Sequence, residues 1–237
     1  MSPSSLIILG MHRSGTSCLA GSLEEGGLEL GTVDRAPHTN PKGNHENLKI
    51  MRLNNAVLEA NGASWDRPPE QSCVWSKEHC DWRDKLIATY PKDRLWGFKD
   101  PRTLLVLDGW LDGLPDARLV ASFRHPIAVA QSLHSRNQLP ISDGIALWES
   151  YNKKLLKVLE THPEIPIVCF DVSTEEYESA LQYVCSYLGL PIPQTRLGFF
   201  ESNLRRSNGD FEINIPSNVQ QIYDALISKS VVKPSEA

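Results

Sequence analysis

The stretch LGMHRSGTS, residues 9 to 17, decides the fold. It follows the apolar run Leu6 to Leu9 and precedes a helix-like segment that begins at Cys18. Gly10 and Gly15 have the spacing of the glycines in a phosphate-binding loop. Such a loop directs consecutive backbone N–H groups at an anion beside a helix N-terminus. The stretch therefore predicts an anion site at the end of a buried strand; alternatively, it is a glycine-rich turn without a ligand.

The charges of this loop differ from those of a nucleotide triphosphatase. In those enzymes a lysine follows the second glycine and contacts the β and γ phosphates, and the next Ser or Thr holds magnesium. Here Thr16 occupies the lysine position, and the cation of the loop is Arg13. A second apolar run ends at Arg124 rather than at a magnesium-binding aspartate. The loop therefore predicts an anion that is bound without metal, by a guanidinium and backbone N–H groups.

Apolar runs of strand length recur along the chain, and each is followed by a polar turn and a helical pattern. This alternation predicts an α/β fold with three layers, α/β/α, around a central parallel sheet, in one domain over residues 1–237. Two stretches rich in Gly, Pro, Asn and Ser, 27–46 and 62–75, predict long loops over the site. The predicted strands are Leu6 to Leu9, Leu95 to Phe98, Arg118 to Phe123 and Ile165 to Phe170. The predicted helices are 15–26, 47–61, 76–90, 102–112, 126–137, 142–162 opening at Ser142, 174–188 and 216–228.

Composition narrows the possible partners. The chain has 237 residues and a net charge of −5, which argues against nonspecific binding to nucleic acid or to an acidic membrane surface. Its five cysteines are an odd number, so we expect a reduced, cytoplasmic protein rather than a disulfide framework. The run Leu6 to Leu9 is too short for a membrane span or a signal peptide. Cys73, His79 and Cys80 lack the spacing of a zinc site, and we expect no metal.

A second stretch, VASFRHPIAVAQS at residues 120 to 132, carries another candidate anion site. Arg124 ends a predicted strand, and Pro126 stands in the first turn of the helix that follows. Ser132 lies two turns along that helix, with its side chain tilted back toward the N-terminus. An arginine and a hydroxyl so arranged predict a second phosphate site; alternatively, Arg124 is a solvated cap and Ser132 a surface residue.

Together these stretches resemble the sulfotransferases that use 3′-phosphoadenosine 5′-phosphosulfate (PAPS). The family's 5′-phosphosulfate loop is matched by Arg13, Ser14, Gly15, Thr16 and Ser17. Its 3′-phosphate motif, an arginine at a strand end and a serine eight residues later, is matched by Arg124 and Ser132. Weaker matches are CFDVS at 169–173, YLGLP at 187–191 and LRRS at 204–207. The Arg-Ser-Gly-Thr sequence is closer to the bacterial and Golgi-type members than to the cytosolic ones.

The resemblance implies a P-loop NTPase-like sulfotransferase fold, PAPS as donor, 3′-phosphoadenosine 5′-phosphate (PAP) as product, and no metal. Arg13 would then bridge the 5′-phosphate and sulfuryl oxygens, with donors from Ser14, Gly15, Thr16 and Ser17. Arg124 and Ser132 would hold the 3′-phosphate. Arg205 and Arg206 would close over the nucleotide, or are a solvated pair in a loop.

The acceptor side needs a general base, which in this family is a histidine or a glutamate after the first helix and its loop. NPKGNHEN, residues 40 to 47, lies at that place, so Glu46 is the first candidate and His45 the second. Alternatively, Glu46 only favours the dipole of the helix that follows. In GFKDPR, 97 to 102, Lys99 would stabilise charge on the bridging oxygen, and Asp100 is an alternative base. Asp100 and Pro101 are also an ordinary helix start.

The acceptor itself is not specified, nor is the oligomeric state. The six tryptophans suit a small-molecule or carbohydrate acceptor, or are packing residues. Two other functions remain open at this point. One is a nucleotide-dependent kinase with a degenerate loop, which would use magnesium and a lysine such as Lys99. The other is a nucleotide-binding protein without catalysis.

Overall fold

The computed structural model describes residues 5–35, 43–192 and 214–234. Over these residues the chain forms a four-stranded parallel sheet flanked by helices, with strand order β2-β1-β3-β4. The predicted α/β class is confirmed. The strands are built almost wholly from buried residues, as expected for a sheet covered on both faces. They are β1 Ser5–Leu9, β2 Trp96–Lys99, β3 Arg118–Phe123 and β4 Ile167–Cys169.

The helices follow the predicted periodicity with small shifts at their ends. Three begin at an Asn or Ser cap whose side chain accepts a backbone N–H: Asn47, Ser76 and Ser173. The helices are α1 Thr16–Glu25, α2 Leu48–Ala60, α3 Lys77–Ile87, α4 Leu107–Gly113, α5 Pro126–Asn137, α6 Ile141–Thr161, α7 Thr174–Leu188 and α8 Ser217–Lys229, with a 3₁₀ helix at Pro101–Leu105.

Several predicted boundaries are wrong; for example, the helix predicted over 76–90 ends at Ile87. The helix predicted over 102–112 is a 3₁₀ helix and α4, because Val106 between them has φ −126° and ψ 24°. The helix predicted to open at Ser142 begins one residue earlier, and Pro140 stands at the N-cap. The Ser142 hydroxyl donates to Asp143 Oδ1 at 3.2 Å and does not cap the helix. The last strand, Ile167–Cys169, is shorter than the predicted run Ile165 to Phe170.

Two groups of helices cover the sheet. Helix α1 packs against β1, β2 and β3 and against α7, whereas α6 packs against α5, α8 and the 3₁₀ helix. The core between these elements includes Trp96, Trp110 and Trp148, which are almost fully buried. Those three tryptophans are therefore packing residues. Among the described residues, no helix has the length and apolarity needed to cross a membrane.

The topology brings the sequence motifs to one edge of the sheet. The strands are parallel, so their carboxyl ends meet at the same edge, and β1 lies between β2 and β3. The chain runs from β1 to β2 on one side and from β3 to β4 on the other, so a switch point lies between the ends of β1 and β3. The glycine-rich loop after β1 is therefore flanked by Lys99 at the end of β2, by Asp100 directly after it, and by Arg124 directly after β3.

Candidate active site

The loop after β1 has the shape that its glycines predict. Gly10 and Gly15 have φ of 142° and 82°, in the region that favours glycine. A Cβ on Gly15 would lie 2.3 Å from the ring of Phe170. The loop is fixed to the sheet because the Ser122 hydroxyl on β3 donates to the Ser14 carbonyl at 2.6 Å. The Ser14 side chain and Thr16 are buried under the loop, as expected for residues that line an anion cradle.

Arg13 connects the two predicted anion sites. Its φ is 66°, and its Nε donates a 2.7 Å hydrogen bond to the hydroxyl of Ser132 on α5. These residues are 119 positions apart in sequence. The structure thus brings together the arginine of the first motif and the serine of the second.

Lys99 is the centre of a second cluster. Its Nζ donates to Ser17 Oγ at 3.0 Å, to the Asn44 carbonyl at 3.0 Å and to Glu46 Oε1 at 2.7 Å. The Lys99 side chain is only 3% exposed, so these three acceptors replace its water. The Ser17 hydroxyl also donates to the Asn44 carbonyl, at 3.0 Å. The cluster therefore joins Ser17, next to the glycine-rich loop, to the predicted base Glu46.

The Glu46 carboxylate faces this lysine rather than the helix that follows. Helix α2 begins at Leu48, and Asn47 caps it by accepting from the Lys49 N–H. The second carboxylate oxygen of Glu46 lies 3.9 Å from Nη1 of Arg102. Glu46 is thus held between two cations at the edge of the sheet.

Arg124 lies at the end of β3 with its side chain only 7% exposed. Its Nε donates to Asp171 Oδ1 at 3.1 Å, and its guanidinium lies over the Phe170 ring at 5.4 Å. The other Asp171 oxygen accepts the backbone N–H of His125 at 2.6 Å. The indole N–H of Trp148 donates to the Arg124 carbonyl at 2.8 Å. Side chain and backbone of Arg124 are therefore both fixed.

Residues 4–194 match the sequence model of a family described as the sulfotransferase family. This chain belongs to the sulfotransferase family. Its structure is similar to that of the sulfotransferase domain from the Synechococcus PCC 7002 olefin synthase, with a TM-score of 0.59 and 20% identity over 94% of each chain. It is also similar to sulfotransferase STF9 from Mycobacterium avium, with a TM-score of 0.57 and 13% identity over 99% of this chain and 79% of that one. These likenesses confirm the sulfotransferase fold. No curated protein sequence matches the chain closely enough to count as a relative.

The other candidate bases of this sulfotransferase lie deeper than Glu46. His45 has φ 53° and a side chain only 2% exposed, and its Nδ1 lies 3.2 Å from Glu24 Oε2. Asp100 is fully buried and accepts from Arg102 Nη1 at 2.7 Å and from Asn54 Nδ2 at 2.8 Å. Burial raises the pKa of Asp100, and the Arg102 guanidinium opposes that rise. Asp100 is thus enclosed as a support for Arg102.

The sequence motifs of the sulfotransferase did not reveal several residues of the site. Arg102 and Asp171 contact the predicted residues Glu46 and Arg124, but neither was assigned a role from sequence. Both stood inside quoted stretches, GFKDPR and CFDVS, which was the signal available. Asn54, which donates to Asp100, stands in α2, where the sequence has no recognisable motif. Arg205 and Arg206 lie outside the described residues.

His12, inside the glycine-rich loop, is a further buried residue that the sequence did not single out. Its ring lies 4.9 Å from the ring of Trp65 and 6.1 Å from that of Tyr151. Burial lowers its pKa well below the usual value, and the charge of Arg102 lowers the pKa further. His12 is therefore a neutral imidazole at neutral pH.

Proposed function

We propose that this sulfotransferase transfers the sulfuryl group of PAPS to a hydroxyl or amine of a small-molecule or carbohydrate acceptor. Membership of the sulfotransferase family supports the reaction class. The observation that carries the proposal is the Lys99 cluster. One buried ammonium contacts both Ser17 of the phosphate loop and Glu46, so the donor and the base would share a charge partner.

The donor would lie along the end of β1. Backbone N–H groups of the loop and the N-terminus of α1 provide a field that favours an anion. Arg13 has a planar fork of donors that suits phosphate and sulfate oxygens. Its contact with Ser132 supports two adjacent anion sites, as a nucleotide with both a 5′-phosphosulfate and a 3′-phosphate requires.

Transfer would be in line at sulfur. Glu46 takes the proton from the acceptor hydroxyl as the acceptor oxygen forms its bond to sulfur, and the bond between sulfur and the bridging phosphate oxygen breaks. The electron pair of that bond stays on the 5′-phosphate of PAP, where Lys99 and Arg13 stabilise the developing charge. Sulfated acceptor and PAP are the products.

Calorimetric titration tests the donor. PAP, adenosine 5′-monophosphate (AMP) and ADP are each titrated with and without Mg²⁺. We expect PAP to bind without Mg²⁺ and more tightly than AMP, and Arg124→Ala to weaken PAP by about 10-fold or more, since hydrogen bonds to charged groups contribute that much. Binding of ADP that requires Mg²⁺, with no preference for PAP, would overturn the proposal and favour a kinase.

A further inference from the structure

We infer that Asp171 is a positioning residue that orients Arg124 toward the 3′-phosphate and so gives the site its preference for 3′-phosphorylated nucleotides. The inference rests on the proposed donor. Asp171 follows β4, and β4 pairs with β3, which ends beside Arg124. A carboxylate at this point can reach both the arginine and the start of α5.

Both oxygens of the Asp171 carboxylate are occupied. Oδ1 accepts from Arg124 Nε at 3.1 Å, and Oδ2 accepts from the His125 N–H at 2.6 Å. His125 is the N-cap of α5, and its own side chain makes no cap hydrogen bond. Asp171 therefore supplies the first turn of α5 with an acceptor, and the backbone of α5 in turn fixes the plane of the carboxylate.

A fixed carboxylate fixes the guanidinium. The Arg124 guanidinium is planar, its Nε edge is held by Asp171, and the Phe170 ring lies 5.4 Å away. With one edge held and an aromatic ring on its face, the two Nη groups have a defined direction. A fork that is oriented in advance loses less entropy when it binds a phosphate.

Simple charge counting predicts the opposite effect. The Asp171 side chain is 24% exposed and carries a negative charge beside a site for a dianion. If Asp171 acted only through its charge, its removal would strengthen the binding of PAP. If Asp171 positions Arg124, its removal weakens the binding of PAP. The two roles therefore differ in the sign of one measured change.

The experiment is calorimetric titration of the wild type and Asp171→Asn with PAP and with AMP, which lacks the 3′-phosphate. We expect Asp171→Asn to weaken PAP about 10-fold, the size of one charge-assisted hydrogen bond, and to leave AMP within about 2-fold. PAP binding that is unchanged or tighter overturns the inference. Equal losses for PAP and AMP overturn it too, because they would indicate a structural role alone.

Ser173→Ala is the matched control. Ser173 lies two residues further on and caps α7 by accepting from the Glu176 N–H at 3.1 Å. We expect Ser173→Ala, which removes this cap, to lower the melting temperature without changing the ratio of PAP affinity to AMP affinity. In an Arg124→Ala background, Asp171→Asn should leave that ratio unchanged; a further loss would overturn the inference.

Two outcomes separate this inference from the proposed function. A wild type that binds PAP no better than AMP overturns the proposed donor. A wild type that prefers PAP, with Asp171→Asn keeping the preference, overturns the role of Asp171 alone. If Asp171→Asn does not fold, Asp171→Glu replaces it: the charge remains, but the longer side chain cannot keep both contacts, so PAP should weaken and an unchanged affinity overturns the inference.

Discussion

The proposed role of Glu46 as general base can be tested separately from donor binding. Its Oε1 accepts from Lys99 at 2.7 Å, and Glu46→Gln keeps the size and a hydrogen-bond acceptor while removing the base. We expect Glu46→Gln to leave PAP affinity within about 2-fold and to lower turnover by about 100-fold or more, the usual contribution of a general base. Turnover is measured as release of PAP from PAPS in the presence of an acceptor.

Glu59→Gln provides the control for this variant. Glu59 is an exposed residue of α2, so the same change there should alter neither turnover nor donor affinity. If Glu46→Gln turned over as fast as the wild type, Glu46 would not be the base.

At the residue scale, the sequence predicts groups that lie within one motif. Arg13, Ser17 and Lys99 were singled out because each stands in a short motif that resembles one of the family's. Asp171 and Arg102 act through contacts to other segments, and a single sequence contains no record of such contacts. Arg124 and Asp171, for example, are 47 positions apart.

At the scale of elements, Gly15 is where the glycine-rich loop meets Phe170, the residue after β4. Its φ is 82°, and a Cβ there would lie 2.3 Å from Phe170, the ring that packs under Arg124. We expect Gly15→Ala to cost about 1–3 kcal/mol in the free energy of unfolding, because of backbone strain, and also to weaken PAP binding. Thermal melting and PAP titration measure the two effects.

Gly189→Ala separates strain from contact. Gly189 ends α7 with φ 67°, but nothing lies within 4 Å of a Cβ placed there. This variant should lose stability and keep its PAP affinity. If Gly15→Ala kept full PAP affinity, the contact between the loop and the Phe170 ring would not be needed for PAP binding.

Asn54 on α2 holds the 3₁₀ helix against the core. Its amide donates to Asp100 Oδ2 at 2.8 Å and to Thr103 Oγ1 at 3.0 Å, and its oxygen accepts from Trp110 at 2.8 Å. We expect Asn54→Ala to cost about 2–4 kcal/mol in the free energy of unfolding, since it leaves several buried polar groups unpaired. Chemical denaturation measures this cost, with Asn55→Ala as the control; a loss no larger than that of the control contradicts the prediction.

Helices were predicted correctly where their periodicity extends over several turns. Their boundaries were wrong where a single residue determines the end of a helix. The periodicity of α6 was clear, but its start at Ile141 rather than Ser142, with Pro140 at the N-cap, is not marked by that periodicity. No Gly or Pro marks the break between the two helices at Val106. The 3₁₀ helix before it is held by tertiary contacts such as that of Asn54 with Thr103. Local patterns do not contain this information.

At the scale of the whole molecule, the fold concentrates positive charge in an acidic chain. The net charge is −5, yet Arg13, Lys99, Arg102 and Arg124 meet at the carboxyl edge of the sheet. The alternation of strands and helices was enough to predict this edge, since parallel strands must end together. The pairing of those cations with Glu46, Asp100 and Asp171 required the structure.

Stability of the whole chain should depend on pH through His12. Burial lowers the pKa of His12 in the folded chain, while the unfolded chain has the ordinary value of about 6.5. As the pH falls below that value, the unfolded chain takes up a proton that the folded chain does not. The contribution of His12 to the free energy of unfolding is therefore fully present above the pKa of the unfolded chain. It is lost progressively as the pH falls from that value toward the pKa of His12 in the folded chain.

His12→Phe tests this dependence, because it keeps a ring beside Trp65 and removes the titrating group. We expect the melting temperature of the wild type to fall more steeply between pH 7.5 and pH 5.5 than that of His12→Phe, within the window that the two pKa values define (about 6.5 and below). His125, whose pKa burial also lowers, is present in both proteins, so the difference in slope belongs to His12. Equal slopes for wild type and His12→Phe would show that His12 accepts a proton in the folded loop, and the loop would then carry one more positive charge toward its anion at acid pH.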